Sequence, residues 1–222
     1  AKQNAKLKIA NKQKDEIISA ISHEFKNPIA IISGYTETIL NDEQMPQPMK
    51  IRFLKKIYSN ANKMSHIVDK LRLTLKLEEG KQELILIPCS MKKLIITCIS
   101  DLKDKYKNRE ILIQGDDITL KVDETLISMA ISNLIENALK YSEDEIIVNI
   151  SDKSITIIDK GIGIEEKELE KINQKFYRIS NNGWNNSLGL GLFIVQSVLS
   201  LHNFTLKIDS VFKNGSQFSI NY

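Results

Sequence analysis

Two different hydrophobic periods divide the chain. From Leu7 to about Leu77 the spacing is helical. In the first part Ile17, Ile21, Ile31 and Tyr35 fall near one helix face, widened by Ile18, Phe25, Ile32 and Ile39. Asp42 to Pro48 (DEQMPQP) interrupts this pattern, because two closely spaced prolines cannot continue a helix. Beyond the break Leu54, Ile57, Ala61, Met64, Val68, Leu71 and Leu75 form the 3-4 stripe of a coiled-coil seam. Two such helices make an antiparallel hairpin that cannot bury its stripes alone. Pairing two hairpins into a four-helix bundle would bury them, so a homodimer is expected.

After Glu78-Glu79-Gly80 the character changes to short β-rich runs. These are Glu83–Ile87, Ile111–Gln114, Thr119–Val122, Glu145–Ile150, Ser154–Ile158, Phe204–Asp209 and Gln217–Tyr222. Helical patterns intervene at about Met91–Tyr106, Asp123–Tyr141 and Leu190–Leu201. The mixture predicts an α/β sandwich, with helices on one face of a mixed sheet. The fold class is therefore α plus α/β, divided as residues 1–79 and 80–222. Asn181 to Ser187 (NNGWNNS) is polar and Asn-rich, and reads as a mobile loop.

Composition narrows the function classes. Hydrophobic residues at 42% and charged residues at 27% exclude a fully disordered chain. The formal charge is +3 over 222 residues, so no bulk field points to nucleic acid, and an anionic ligand must be held by local groups. Cys89 and Cys98 lie in no metal or redox motif and read as reduced core thiols of a cytosolic protein. No run approaches the roughly 20 apolar residues that cross a bilayer, so no membrane contact is expected of these residues. The chain opens without Met and inside a helical pattern, as an excised piece of a longer protein would.

Candidate chemistry begins at Ser22-His23-Glu24-Phe25-Lys26-Asn27-Pro28. His23 lies about 160 to 200° around the helix from Ile21, Phe25 and Ile32, and so points to solvent. Surface decoration is the simplest reading of such a histidine. Its neighbours add another: Glu24 can accept from one ring nitrogen and leave the other as a neutral nucleophile. Asn27 follows one turn later on the same face. Pro28 costs a helix interior about 3 kcal/mol, an expensive neighbour for a decorative residue. His66 and His202 lack such surroundings and read as structural.

The second half has no P-loop and no kinase-type glycine loop. In Asn133-Leu134-Ile135-Glu136-Asn137-Ala138-Leu139-Lys140-Tyr141, Asn133 and Asn137 share a helix face, with Lys140 a turn further. Amide oxygens suit Mg²⁺ and lysine suits phosphate. An amphipathic helix whose polar face happens to carry asparagine would look the same. Asp159-Lys160-Gly161-Ile162-Gly163 follows an apolar strand, where a carboxylate can accept from an adenine amino group beside glycines that admit a flat ring. Leu188-Gly189-Leu190-Gly191-Leu192 opens a helix, whose first N–H groups can bind phosphate. Either glycine pair alone could be a turn; their order after the Asn helix is more specific.

Taken together these segments resemble the catalytic core of bacterial two-component sensor histidine kinases. The ATP-binding part is similar to the fold shared by gyrase, Hsp90, histidine kinases and MutL. His23-Glu24-Phe25-Lys26-Asn27-Pro28 resembles the phosphoacceptor box, residues 133–142 the N box and 159–164 the first glycine box. Lys175-Phe176-Tyr177-Arg178 resembles the F box, and 189–192 the second glycine box. The resemblance implies ATP and Mg²⁺ as cofactors, His23 as phosphoacceptor and Glu24 as the base or orienter beside it. It implies Asn137 at Mg²⁺ with Asn133 nearby, and Lys140, Tyr141 and Tyr177 along the nucleotide. Asp159 would read adenine, with Gly161, Gly163 and Ile164 shaping the pocket. Arg178 would meet the terminal phosphate, and Gly189, Leu190, Gly191 and Leu192 would bracket the phosphates.

The implied reaction is autophosphorylation of His23, then transfer to an aspartate on the receiver domain of a response regulator. Glu24-x-x-Asn27 is similar to the family's phosphatase motif, which implies regulator dephosphorylation as well. The parent protein would be anchored in the bacterial inner membrane with this part in the cytoplasm. Lys160 stands where Asn or Thr is commoner, and Ser187-Leu188 replaces the usual Gly-Thr; these departures bear on nucleotide affinity more than on activity. Alternatives are a degenerate kinase that acts as a dimeric docking scaffold, a phosphatase-dominant enzyme, or an ATPase of the gyrase or Hsp90 kind.

Overall fold

A computed structural model describes residues 2–103, 105–179 and 188–222, with side chains from residue 18 onward. The polar segment Asn181–Ser187, expected as a loop, lies outside the described residues. Two compact units divide at Leu75 and Lys76.

The helical unit is a hairpin of α1 (Lys2–Asn41) and α2 (Gln47–Glu78). Helix α1 runs through Pro28, which leaves the carbonyl of Glu24 without its intrahelical donor. Pro46 and Pro48 do not delay the second helix. The Pro46 carbonyl accepts from Met49 N–H (2.9 Å) and Lys50 N–H (3.1 Å), and Pro48 sits in the first turn, where a missing N–H is harmless. Tyr35 and Phe53 face each other across the hairpin with ring centroids 4.8 Å apart.

The stripe on α2 is split by this packing. Ile67 and Thr74 are buried and Phe53, Ile57, Met64 and Leu71 half-buried, while Leu54, Val68 and Leu75 on its other edge remain exposed. On α1 the exposed Ile18, Ile29 and Leu40 recur every eleven residues, three helical turns, and so share one face.

The second unit is an α/β sandwich. Strands β2 (Ile111–Gln114), β4 (Ile146–Ile150), β5 (Ser154–Asp159), β7 (Gly215–Asn221) and β6 (Thr205–Val211) lie in that spatial order. β2 pairs parallel with β4 and the others antiparallel. β1 (Ile87–Ser90) and β3 (Thr119–Val122) form a separate antiparallel pair. The helices are α3 (Met91–Lys103), α4 (Glu124–Tyr141), the short α5 (Glu166–Leu169) and α6 (Gly191–Leu201). Helix α4 is the centre of the core. Its Leu126, Ile127, Ala130, Ile131, Leu134, Ile135, Ala138 and Leu139 are buried, which covers more than one stripe because α3, α6 and the sheet all contact it.

Two local expectations are corrected, and one short helix was not expected. The strand placed at Glu83–Ile87 begins only at Ile87, because Ile85 N–H is taken by the Asp123 carboxylate (3.0 Å) and not by a neighbouring strand. Helix α3 ends at Lys103, before Tyr106, whose hydroxyl turns toward Glu136 on α4 (3.4 Å). The short α5 had no periodic signal at four residues.

Asp123 also caps α4, accepting from Leu126 N–H (3.1 Å). His202 closes the same corner: Nε2 accepts from Asp123 N–H (3.0 Å), and Nδ1–H therefore donates to the Val198 carbonyl (2.7 Å). That matches its structural reading. His66 is exposed on α2. Cys89 and Cys98 are buried free thiols, and burial raises the pKa of Cys98.

Candidate active site

In the helical unit His23 and Asn27 are both exposed, one turn apart on α1. Glu24, about 100° further round the helix, is buried, and its Oε1 has no hydrogen-bond partner among the described residues. A buried carboxylate oxygen without a donor is costly, which leaves it open to a donor brought to it.

In the α/β unit three motif segments converge on the C-terminal half of α4 and the end of β5. Asn133 is buried. Its Nδ2 donates to the Met129 carbonyl (2.8 Å), which turns Oδ1 outward, and a Cβ placed on Gly191 would come within 3.3 Å of that oxygen. This brings the second glycine box to the Asn helix. Asn137 and Lys140 are half-buried and Tyr141 is exposed. The Tyr141 carbonyl receives Ile162 N–H (3.1 Å), and a Cβ on Gly161 would lie 2.1 Å from it, so no other residue fits there.

Asp159 is 6% exposed at the end of β5. Burial raises its pKa, while the backbone N–H groups of Gly161 (2.8 Å) and Ser216 pull it down; the net shift is upward. Gly163 approaches the Val211 carbonyl, and Ile164 N–H donates to Ser210 Oγ (2.8 Å). Lys160 is exposed, its Nζ 4.0 Å from Glu145, so the departure at this position points outward.

The F-box segment reaches the second glycine box through its backbone. Phe176 N–H donates to the Gly189 carbonyl (3.0 Å), and Gly189 has φ of +67°, a conformation that suits glycine. Arg178 is exposed, and its positive charge lowers the Tyr141 pKa against the larger raising effect of burial. The Tyr177 hydroxyl donates to the buried carboxylate of Glu168. Leu190 is buried and Leu192 half-buried at the start of α6.

Sequence reasoning missed Ser210, Gly215 and Ser216. A Cβ on Gly215 would lie 2.0 Å from the Asp159 carbonyl, so the β6–β7 hairpin closes directly over the end of β5. The Asn214-Gly215 dipeptide is a hairpin signal that could have found it.

These residues fit a magnesium nucleotide. A buried carboxylate offers an acceptor, glycines admit close approach, and Asn133 presents an amide oxygen toward Gly191. Among the described residues no group of three His, Cys, Asp or Glu side chains could hold a metal, so a cation here would depend on amide and phosphate oxygens.

One consequence is a pH signature. If the ionised Asp159 accepts from adenine, its raised folded pKa means that nucleotide affinity should fall on acidification from above the ordinary carboxylate range. Stability should move oppositely. Between the ordinary and the raised pKa the folded chain binds more protons than the unfolded one, so stability rises as pH falls. Calorimetry with a non-hydrolysable ATP analogue should show this loss in the wild type and a flat, weaker profile in Asp159→Asn. Identical profiles would refute it.

A helical hairpin with an exposed histidine is thus followed by an α/β sandwich in which the Asn helix and two glycine turns come together. Two known families match. The family described as His Kinase A (phospho-acceptor) domain matches residues 13–80. The family of histidine kinase-, DNA gyrase B- and HSP90-like ATPases matches residues 122–222. The phosphate regulon sensor protein PhoR of Pseudomonas aeruginosa is 31% identical over 93% of this chain and 49% of its own length. The sensor-like histidine kinase SenX3 of Mycolicibacterium smegmatis is 27% identical over 93% of this chain and 56% of its own. The solved structure of the Acinetobacter baumannii histidine kinase AdeS matches with a TM-score of 0.67 over 89% of this chain and 95% of that one, at 21% identity, a likeness of fold. The chain belongs to the two-component sensor histidine kinases. It spans about half the length of these curated relatives. No described helix is long and apolar enough to cross a membrane.

Proposed function

We propose that this chain is the core of a kinase that phosphorylates itself on His23 with ATP and passes the phosphoryl group to an aspartate of a response-regulator receiver domain. Residues 1–79 would be the dimerisation and phosphotransfer domain and residues 80–222 the ATP-binding domain. The observation that carries the reading is the convergence of Asn133, Tyr141, Asp159, Gly161 and Gly191 in one unit, in a chain whose other unit exposes His23 ahead of a buried Glu24.

Asp159 accepts from the adenine amino group, while Lys140 and Arg178 counter phosphate charge. Asn137, with Asn133 nearby, would hold Mg²⁺, which when bound neutralises charge on the phosphate oxygens. The neutral His23 ring attacks the γ-phosphorus with its unprotonated nitrogen. The bond from that phosphorus to the β–γ bridging oxygen breaks, and ADP leaves. Glu24 takes the remaining ring proton. Positioning and charge supply most of the acceleration, as phosphoryl transfer requires. Label from γ-labelled ATP should be acid-labile and base-stable on the protein; acid-stable label would sink the reading. The placement in the cytoplasm beneath a membrane-anchored parent rests on the resemblance alone.

Assembly is part of the same reading. The exposed edge of α2, with Val68 at 50% and Leu75 at 59%, supports burial against a second copy. Val68→Asp would place a charge in a symmetric interface twice, and each buried valine contributes about 1.5–3 kcal/mol. The unmodified chain should therefore scatter light as a dimer at micromolar concentration and the variant as a monomer. A monomeric parent chain would refute dimerisation.

Asn27 carries the proposed phosphatase activity toward the regulator. Its exposed amide, one turn beyond His23, can orient a water toward an acyl phosphate on a docked receiver domain. Asn27→Ala should keep His23 labelling but slow regulator dephosphorylation about tenfold or more. Wild-type dephosphorylation with normal kinase activity would exclude the role.

A further inference from the structure

The turn that delivers Arg178 is strained and tethered. Phe176 has φ of +62°, a left-handed conformation that a bulky residue adopts only where its surroundings impose it. Two restraints impose it here. Phe176 N–H donates to the Gly189 carbonyl (3.0 Å), and Gly189 itself is left-handed, so close to the turn that a Cβ would lie 2.6 Å from the Tyr177 carbonyl. On the other side the Tyr177 hydroxyl donates to Glu168 Oε2.

Glu168 is 8% exposed. Its backbone anchors the approach to the turn: Glu168 N–H donates to Glu165 (2.8 Å), and its carbonyl accepts from Lys171 (2.9 Å) and Ile172 (3.0 Å). Lys171 Nζ is 4.0 Å from Oε1. A carboxylate this buried is costly unless a donor meets it, and the phenol is that donor. The bond to Glu168 raises the Tyr177 pKa, as a hydrogen bond donated by the neutral phenol does.

We propose that Glu168 is a positioning residue of the kinase reaction, acting through Tyr177 to fix the direction in which Arg178 leaves the 176–178 turn. An apolar contact could hold the segment down, but a directional bond to the residue next to Arg178 also sets its rotation. The inference rests on the reading that Arg178 meets the terminal phosphate.

The test uses the full chain and initial rates of His23 labelling against ATP concentration. Glu168→Ala and Tyr177→Phe should each lower kcat on the order of tenfold, the scale of a slightly misplaced reacting group, with KM for ATP nearly unchanged. The double variant should be no slower than either single one, because both cut the same tether. Glu168→Gln should retain the rate, since its amide oxygen still accepts from the phenol. In an Arg178→Ala background, Glu168→Ala should add nothing. Rates that fall in step with melting temperature and with rising KM would show a merely structural role and overturn the proposal. Slowing by Arg178→Ala together with wild-type kcat in Glu168→Ala, or multiplicative losses in the double, would also overturn it while leaving the Arg178 reading intact. Wild-type rates in Arg178→Ala would instead refute that reading, and the inference with it.

Discussion

His23→Gln should lose all acid-labile label from γ-labelled ATP while binding the nucleotide as the wild type does. Glutamine keeps the polarity and helix propensity of an exposed α1 position, so the fold should be unaffected. The other two histidines cannot easily substitute. His202 is buried with both ring nitrogens engaged, Nε2 by Asp123 N–H and Nδ1 by the Val198 carbonyl. To attack phosphorus it would have to abandon the cap of α4 and leave a buried N–H unpaired, a cost of about 1–3 kcal/mol before any chemistry. His66 is the realistic competitor, being exposed on α2, but it lacks a neighbouring buried carboxylate in sequence. His66→Gln should therefore label normally. Undiminished labelling of His23→Gln, or its loss in His66→Gln alone, would remove the central assignment.

The parts of this molecule that were legible in the sequence are those whose physics is periodic or local. The seam from Leu54 to Leu75 shows a helix and an apolar stripe, because packing demands recur every three or four residues. What it could not show is that α1 would take one edge of the stripe and leave Val68 and Leu75 exposed. Asp123 illustrates the opposite limit. A capping aspartate is readable, but its other oxygen holds Ile85 N–H, 38 residues away, and so delays to Ile87 a strand expected from Glu83.

The candidate site divides the same way. Residues within a motif, such as Asp159 and Gly161, can be nominated because their spacing is fixed by one strand end and one turn. Ser216 and Gly215 join them through sheet register, with Asp159 opposite Ser216 in the β5–β7 ladder, and no local pattern announces that. Tyr177 was readable as an F-box residue, whereas its partner Glu168 lies on a four-residue helix without a periodic signal.

Asn137→Ala should abolish the magnesium dependence of ATP binding and lower affinity for the magnesium complex by at least about 10- to 100-fold, the loss that even outer partners of a metal ligand produce. The two asparagines of α4 are not equivalent. Asn133 has its amide nitrogen committed to Met129 and its oxygen fixed beside Gly191, which makes it part of the wall. Asn137 is half-buried one turn on, with the same face of the helix available to a cation and its phosphate oxygens. Removing its side chain deletes the amide oxygen proposed to hold the cation without opening the core, since Ala138 and Leu134 carry the buried contacts. Asp159→Asn should weaken binding by about 1.5–3 kcal/mol, the scale of a hydrogen bond to a charged group, with or without magnesium, and should blur the preference for adenine over guanine nucleotides. The two variants thus separate by cation. With magnesium chelated, Asn137→Ala should bind ATP like the wild type, and Asp159→Asn should remain weak. Calorimetry at both conditions reads this directly. Wild-type affinity for the magnesium complex in Asn137→Ala would mean that the cation, if it binds, is held elsewhere.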